Sequence, residues 1–435
     1  MSKDVPVGYK LTEVGVIPED WEVKSLGDIG KFKNGINKGA EDFGFGSPFV
    51  NLMDVFGVNS ISTSEHLGLI NSNDIEKKIY DLKKGDVIFV RSSVKPSGVG
   101  LTTVVVEDLP NVVYSGFLIR FRSNSSLDVD FKRFCFSEEK FRRSVIANST
   151  ISANTNINQE NLKKLYLIFP KSDIEQQAIA HVLSDTDALI TSLDKLIAKK
   201  RDLKQAAMQQ LLTGKQRLEG FGDSSGKFKQ TEIGLLPEDW DVQFLRETCI
   251  KIQDGTHFSP SLGGNDYMYV TSKNIGRGIF DISNVDKIDC IQHRKIYNRC
   301  DVKKGDLLLT KDGVNTGNAA LNFLDEEFSL LSSVAFLRFD SSKYEVSYFL
   351  QQILSSNGQR QIKELMAGNA ITRLTLGKIR SLKFPIPFIE EQQAIAKVLS
   401  DMDSEISALE QRRDKTKALK QAMMQELLTG RIRLL

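Results

Sequence analysis

The chain has 435 residues, enough for two or more domains with separate cores. Its 40% hydrophobic and 26% charged content is that of an ordinary globular protein rather than a disordered or fibrous one. A formal net charge of +2 excludes a uniformly basic nucleic-acid binder, so any electrostatic footprint has to be local. Residues 273–311 are such a stretch, with nine Lys or Arg against five Asp. No run of about 18 apolar residues marks a membrane span, and the N-terminal MSKDVPVGYK lacks the apolar centre of a signal peptide. Cys135, Cys249, Cys290 and Cys300 form no CxxC pair, which favours a reduced, cytoplasmic protein.

In chain order, the first landmark is TEVGVIPEDW at 12–21. An insert follows over about 21–157, with strand-like runs at 46–52 (GSPFVNL), 86–90 (DVIFV), 102–106 (TTVVV) and 117–121 (FLIRF) and a helical pattern at 130–145. Lys83-Lys84-Gly85-Asp86 reads as a turn that feeds a strand, which runs into the polar, glycine-bearing loop RSSVKPSGVG at 91–100. Such loops offer backbone N–H groups and basic side chains to phosphates and base edges. The earlier KFKNG at 31–35 and the later SANTN at 152–156 are polar in the same way. The candidate DNA contacts of this part are Lys31, Lys33, Asn34, Arg91, Lys95, Asn154 and Asn156.

The next stretch, 175–214, has 3,4 apolar spacing through Ile179, Val182, Thr186, Leu189, Leu193, Leu196, Lys200, Leu203 and Ala207. Ser172-x-x-Glu175 has the form of a capping box, and Gly214 stands where a glycine cap ends a helix. About 38 helical residues would span about 57 Å. The segment 218–234, rich in Gly, Ser and Lys, reads as a linker.

Then the pattern starts again. TEIGLLPEDW at 231–240 repeats the first landmark at an offset of 219, and a second insert covers about 240–375. Strand-like runs stand at 267–270 (YMYV), 306–310 (DLLLT) and 333–339 (SVAFLRF), with a helical pattern at 344–366. Lys303-Lys304-Gly305-Asp306 repeats the turn and leads into TKDGVNTGNA at 310–319. With QDGTH at 253–257, TSKN at 271–274 and NAITR at 369–373, the candidate DNA contacts here are Thr256, His257, Lys273, Asn274, Arg277, Lys311, Asn315 and Arg373. Finally 391–430 repeats 175–214 with 24 identities in 40 positions. Its seam is Ile395, Val398, Met402, Glu405, Leu409, Arg412, Thr416, Leu419 and Met423, with Leu399 and Ile406 able to take over; Pro387 and Gly430 bracket it.

A duplication of this length is a repeated unit rather than a solenoid. The expected fold class is α+β: two mixed α/β domains, separated and joined by two long helices. The helices form an antiparallel intramolecular coiled coil, giving a pseudo-twofold internal repeat. The expected boundaries are 1–160 for the first mixed domain, 161–214 for the first helical spacer, 215–230 for a linker, 231–380 for the second mixed domain and 381–435 for the second spacer. The charge-rich outer faces at 195–204 and 411–420 read either as a solvated surface, the usual role of such a face, or as a docking face for another subunit.

No catalytic constellation assembles. Thr213-Gly214-Lys215 lacks the rest of a P-loop. His66, His181, His257 and His293 are scattered without an HExxH, which disfavours a zinc site. Neither an Asn-Pro-Pro-aromatic methyltransferase signature nor a nuclease carboxylate–lysine cluster is present. These absences describe a binder rather than an enzyme.

The paired GxIPxDW and GxLPxDW landmarks, the EQQxIA helix starts and the LLTG endings resemble the specificity subunit of Type I restriction–modification enzymes, over essentially the whole chain. The resemblance implies two target-recognition domains, each reading one half of a bipartite double-stranded DNA target. It implies two methyltransferase subunits along the helices and, for restriction, two motor-nuclease subunits. It also implies no cofactor in this chain, with S-adenosylmethionine, ATP and Mg in the partners, whose modification is adenine N6 methylation. Because the inserts differ, the half-sites are expected to differ, set roughly one helical turn apart on one face of the duplex. The alternatives are the specificity subunit of a combined methyltransferase–nuclease system (Type IIB/IIG-like) and a coiled-coil adaptor that binds proteins.

Overall fold

The computed structural model describes residues 5–222, 226–366 and 373–434. The chain divides into two compact units, residues 1–194 with 412–435 and residues 195–411. The expected contact segment 369–373 thus lies outside the described residues except for Arg373.

In the first unit, Trp21–Ser25 pairs antiparallel with Tyr166–Pro170, so the start and end of the insert meet on one small sheet. Between them lies a five-stranded sheet in the order Gly30–Asn34, Leu118–Ser123, Val87–Val90, Thr102–Val105, Ser60–Ile61. Val87–Val90 is buried at every position. An apolar run without alternation sits where both faces of a strand are covered. One face packs Phe89 and Phe121 against Phe131, Phe134, Phe136 and Phe141. The expected helix at 130–145 is two helices, Val129–Cys135 and Glu139–Ala147. Glu138 divides them because its carboxylate accepts from Phe141 N at 2.9 Å and caps the second.

The second unit repeats this plan. Asp241–Phe244 pairs with Lys383–Ile386. The main sheet runs Cys249–Asp254, Val334–Phe339, Leu307–Thr310, Ala319–Leu321. The expected helix at 344–366 is again two, Val346–Leu354 and Ser356–Met366, divided where Ser355 Oγ accepts from Gly358 N at 3.1 Å.

The repeated Lys-Lys-Gly-Asp turn is a staple in both units. Gly85 and Gly305 hold φ of +87° and +86°, open to glycine at little cost. Asp86, buried, accepts from Lys83 N at 2.8 Å and from Arg122 Nε and Nη2 at 2.7 and 2.6 Å. Asp306 does the same with Lys303 N at 2.7 Å and Arg338 at 2.8 and 2.7 Å. Charge-assisted bidentate bonds of this kind lock the turn to the neighbouring strand and so set where the following loop begins.

The long helices are Asp173–Leu211 and Ile389–Leu427, 39 residues each. Neither contains Gly or Pro, and each stops just before a glycine of positive φ, Gly214 at +66° and Gly430 at +70°. Within the first unit they run antiparallel: Asp187 meets Lys420 at 2.6 Å and Asp194 meets Arg413 at 3.5 Å, seven residues on in one helix and seven back in the other. Within the second unit Lys204 meets Asp403 at 2.6 Å and Lys200 meets Glu405 at 2.6 Å. The Lys204–Asp403 and Lys420–Asp187 pairs are equivalent under the 216-residue repeat.

The seam differs from its expected phase. Leu189, Leu196 and Leu203 are exposed, while Ile197 is buried and Ile190 and Lys204 are half-buried in their place. In the second helix Leu399 and Ile406 do take over, and Arg413 and Lys420 replace Arg412 and Leu419. Two adjacent apolar stripes compete along these helices. The lysines settle the phase, their stems covering the seam while their ammonium groups reach Asp403 and Asp187.

Candidate nucleic-acid interface

Each unit is closed by a buried charge junction built from the repeated motifs. In the first unit Glu175, 1% exposed, accepts from Trp21 Nε1 at 3.2 Å and from Arg433 Nε and Nη2 at 2.5 and 2.8 Å. Arg433 also forks onto Asp20 at 2.9 and 2.6 Å, with its guanidinium 5.8 Å from the Trp21 ring centroid. The second unit assembles the same group from Trp240, Glu391, Arg217 and Asp239. A Cβ on Gly430 would lie 2.5 Å from Pro18 Cγ, and one on Gly214 would lie 2.4 Å from Pro237 Cγ. The glycines are therefore required for close packing as well as for their positive φ. The expected capping box at Ser172 is not formed as such: Ser172 Oγ accepts from Glu175 N at 3.4 Å, but the Glu175 carboxylate turns to Trp21 and Arg433. The repeated motifs thus build the mount, and the parts that differ lie between its members.

In the first unit the loop after Val87–Val90 carries Ser92–Ser93 into a three-stranded sheet with Thr155–Asn156 and Thr150–Ile151. This brings Arg91, Lys95, Asn154 and Asn156 into one patch. Arg91 is half-buried and donates to Gly116 O at 3.2 Å, while Lys95 and Asn154 are exposed. Asn156 Nδ2 donates to Asn154 O at 2.9 Å. Asn34 is bonded to the Gln159 amide at 2.8 Å. Lys31 and Lys33 alternate outward from Phe32 on their strand, with Lys33 Nζ 5.7 Å from the Tyr80 ring. Lys31 lies at the far end of the strand, opposite Arg122, and stands apart from the patch.

In the second unit the equivalent loop holds a tighter network. Lys311 is 3% exposed and lies 3.4 Å from both Asp254 and Asp312. Asp254 also meets His257 at 3.1 Å, and Asp312 meets Arg373 at 2.7 Å. Thr256 is buried, its hydroxyl accepting from Phe258 N at 3.3 Å. Asn274 is buried too; its Oδ1 accepts from Thr271 N at 3.0 Å and its Nδ2 donates to Asp281 O at 3.1 Å. Asn315 donates to Ser272 O at 3.2 Å, and Arg277 to Leu354 O at 2.8 Å. His257, Lys273 and Arg373 remain exposed around this network.

Sequence reasoning did not find the residues that prop these loops. Arg142, on Glu139–Ala147, donates to the carbonyls of Ser97, Val99 and Gly100. Gln359, on Ser356–Met366, donates to Gly317 O at 2.9 Å. The two stand 217 residues apart, so the same helix position supports the same loop in both units. Among the described residues no helix is long and apolar enough to cross a membrane, and no group of three His, Cys, Asp or Glu could hold a metal.

The profile of the Type I restriction modification DNA specificity domain matches residues 18–200 and again 237–419. The Type I restriction enzyme MjaVIII specificity subunit of Methanocaldococcus jannaschii is 25% identical over 429 residues, covering 96% of this chain and 94% of that protein. Among solved structures, the S subunit of a Type I restriction–modification system from M. genitalium aligns with a TM-score of 0.57 at 16% identity, over 96% of this chain and 97% of that one. A chain from a structural study of complex assembly in the type I system gives 0.54 at 14% identity, over 96% and 99%. The two structural likenesses are likenesses of fold.

Proposed function

The chain belongs to the Type I restriction modification DNA specificity family, and from that premise we propose how it reads DNA. It is a non-catalytic sequence-recognition subunit, and its enzymatic activities reside in partner subunits. Each unit reads one half of a split, asymmetric duplex sequence through the loop that follows its central strand. The observation that carries this reading is the pairing of like mounts with unlike loops. The same staple and junction hold both units, yet one presents Arg91, Lys95, Asn154 and Asn156 and the other His257, Lys273 and Arg373.

In this reading the exposed groups contact bases and phosphates, with Lys31, Lys33 and Arg277 on the flanks. Thr256, Asn274, Lys311 and Asn315 act through the loop they brace, and Asn34 through Gln159. Two methyltransferase subunits, and two motor-nuclease subunits for restriction, complete the assembly; S-adenosylmethionine, ATP and Mg belong to them. The exposed Leu196 and Leu203, seven residues apart on one helix face of the second unit, supply an apolar stripe for such a partner.

Selection from a pool of duplexes randomised at every position, using the complex with its methyltransferase, tests the proposal. Two unlike half-sites at one fixed separation are expected. Lys95→Ala is to lower selection only in the first half-site and Arg373→Ala only in the second. A single uninterrupted or palindromic motif would overturn it.

A further inference from the structure

The Lys-Lys-Gly-Asp turns put the two loops in register at an offset of 220 residues. Over the eight positions 91–98 and 311–318 that register leaves one identity, Val94 with Val314. Both valines are exposed, at 81% and 103% of full accessibility. Each stands three residues past the first residue after the central strand, Arg91 in one loop and Lys311 in the other. A single exposed apolar residue is ordinary on a protein surface. The same exposed residue, at the same count from the strand in two loops that differ in length and in nearly every other residue, is not explained by that.

Both tips are rigidly held. Ser92 and Ser93 are paired in a sheet immediately before Val94, and Arg142 takes three carbonyls immediately after it, at 97, 99 and 100. On the other side, Thr316 Oγ1 donates to Gly313 O at 2.7 Å across Val314, while Asn315 donates to Ser272 O and the helix residue Gln359 donates to Gly317 O in the loop. Valine is itself stiff at χ1, so little freedom remains to lose on contact. A rigid, solvated methyl pair beside Lys95 or Asn315 suits one feature of a duplex groove, the 5-methyl group of thymine, which apolar side chains recognise in the major groove. Side chains that wedge between base pairs are mostly longer than valine.

Resting on the DNA-reading function above, we propose that Val94 and Val314 each contact the 5-methyl group of one thymine, so that each half-site is read in part by the same apolar contact. The test uses the complete complex on its selected target, with thymines replaced one at a time by deoxyuridine, which removes the methyl group alone. For the wild type, one replacement in each half-site is expected to weaken binding about fourfold, the effect of exposing one methyl group. In Val94→Ala the effect in the first half-site disappears and that in the second stays; Val314→Ala gives the converse. Val94→Thr, which keeps one methyl, retains the discrimination. Equal uracil effects in wild type and both alanine variants, or none at any position, would overturn the proposal while leaving sequence-specific binding intact. A wild-type complex that binds no target specifically would overturn the DNA-reading function, and this proposal with it.

Discussion

Arg433→Ala removes a side chain that closes the first unit from the far end of the chain. Glu175 is 1% exposed and, among the described residues, keeps only the Trp21 indole N–H on its carboxylate once the guanidinium is gone. Removing one partner of a buried ion pair costs about 3–5 kcal/mol because the other charge stays buried. Arg433 retains 21% side-chain exposure and Asp20 60%, so water re-enters part of the site and about 3 kcal/mol is the appropriate figure. For a unit of this size about 1 kcal/mol moves Tm by ~2–4 °C, so the transition of the first unit is expected to fall by about 6–12 °C. Scanning calorimetry of the full chain measures it. Arg217→Ala is to lower the second unit by a similar amount, because Glu391 is equally buried and equally held. In Arg433→Ala with Glu175→Gln the uncompensated charge is gone, and part of the loss is to return. A shift below about 1 °C for Arg433→Ala would refute the claim that these junctions hold the units closed.

Three further outcomes follow from the same geometry. The hydrogen bonds from Arg433 and Arg217 hold the Asp20 and Asp239 carboxyls below the ordinary carboxylate range. Their contribution is therefore complete above the unfolded value of about 3.9 and is lost as pH falls through the depressed folded value. Acid unfolding followed by circular dichroism is to show this loss below about pH 4, reduced in Asp20→Asn with Asp239→Asn. Arg142→Ala, which frees three loop carbonyls, is to weaken reading of the first half-site by about 1–3 kcal/mol and leave the second unchanged, as measured by binding to duplexes altered in one half-site. Replacing Leu196 and Leu203 by Ser is to abolish co-purification with the methyltransferase while leaving Tm within about 2 °C, since both are exposed.

Much of the architecture was legible because it is written in local terms. Uninterrupted helical stretches lie between Pro170 or Pro387 and the positive-φ glycines, and the Lys-Lys-Gly-Asp turns stand ahead of strands with apolar runs, VIFV and LLLT. The strand Tyr267–Val270 falls where its apolar run placed it. What escaped was whatever depends on a distant partner. Glu175 reads as half of a capping box, yet its partner Arg433 is 258 residues away. Leu189 and Ile190 are equally apolar, and only the reach of Lys420 to Asp187 on the facing helix sets which one is covered. The same holds at the candidate interface. Lys311 and Asn274 have the chemistry of groove-reading residues, but their burial between Asp254 and Asp312, or against Thr271 and Asp281, comes from packing that no spacing reveals. Arg142 and Gln359 look like ordinary helix residues until the loops they prop are in place.

The central claim is that two unlike readers on like mounts recognise one split target. Mapping N6-methyladenine across a genome in which this chain is expressed with its methyltransferase tests that claim most directly. One asymmetric motif of two half-sites separated by a fixed number of unread base pairs is predicted, and exchange of the first insert is to change one half-site only. A continuous motif, or two half-sites that both change when one insert is exchanged, would contradict it.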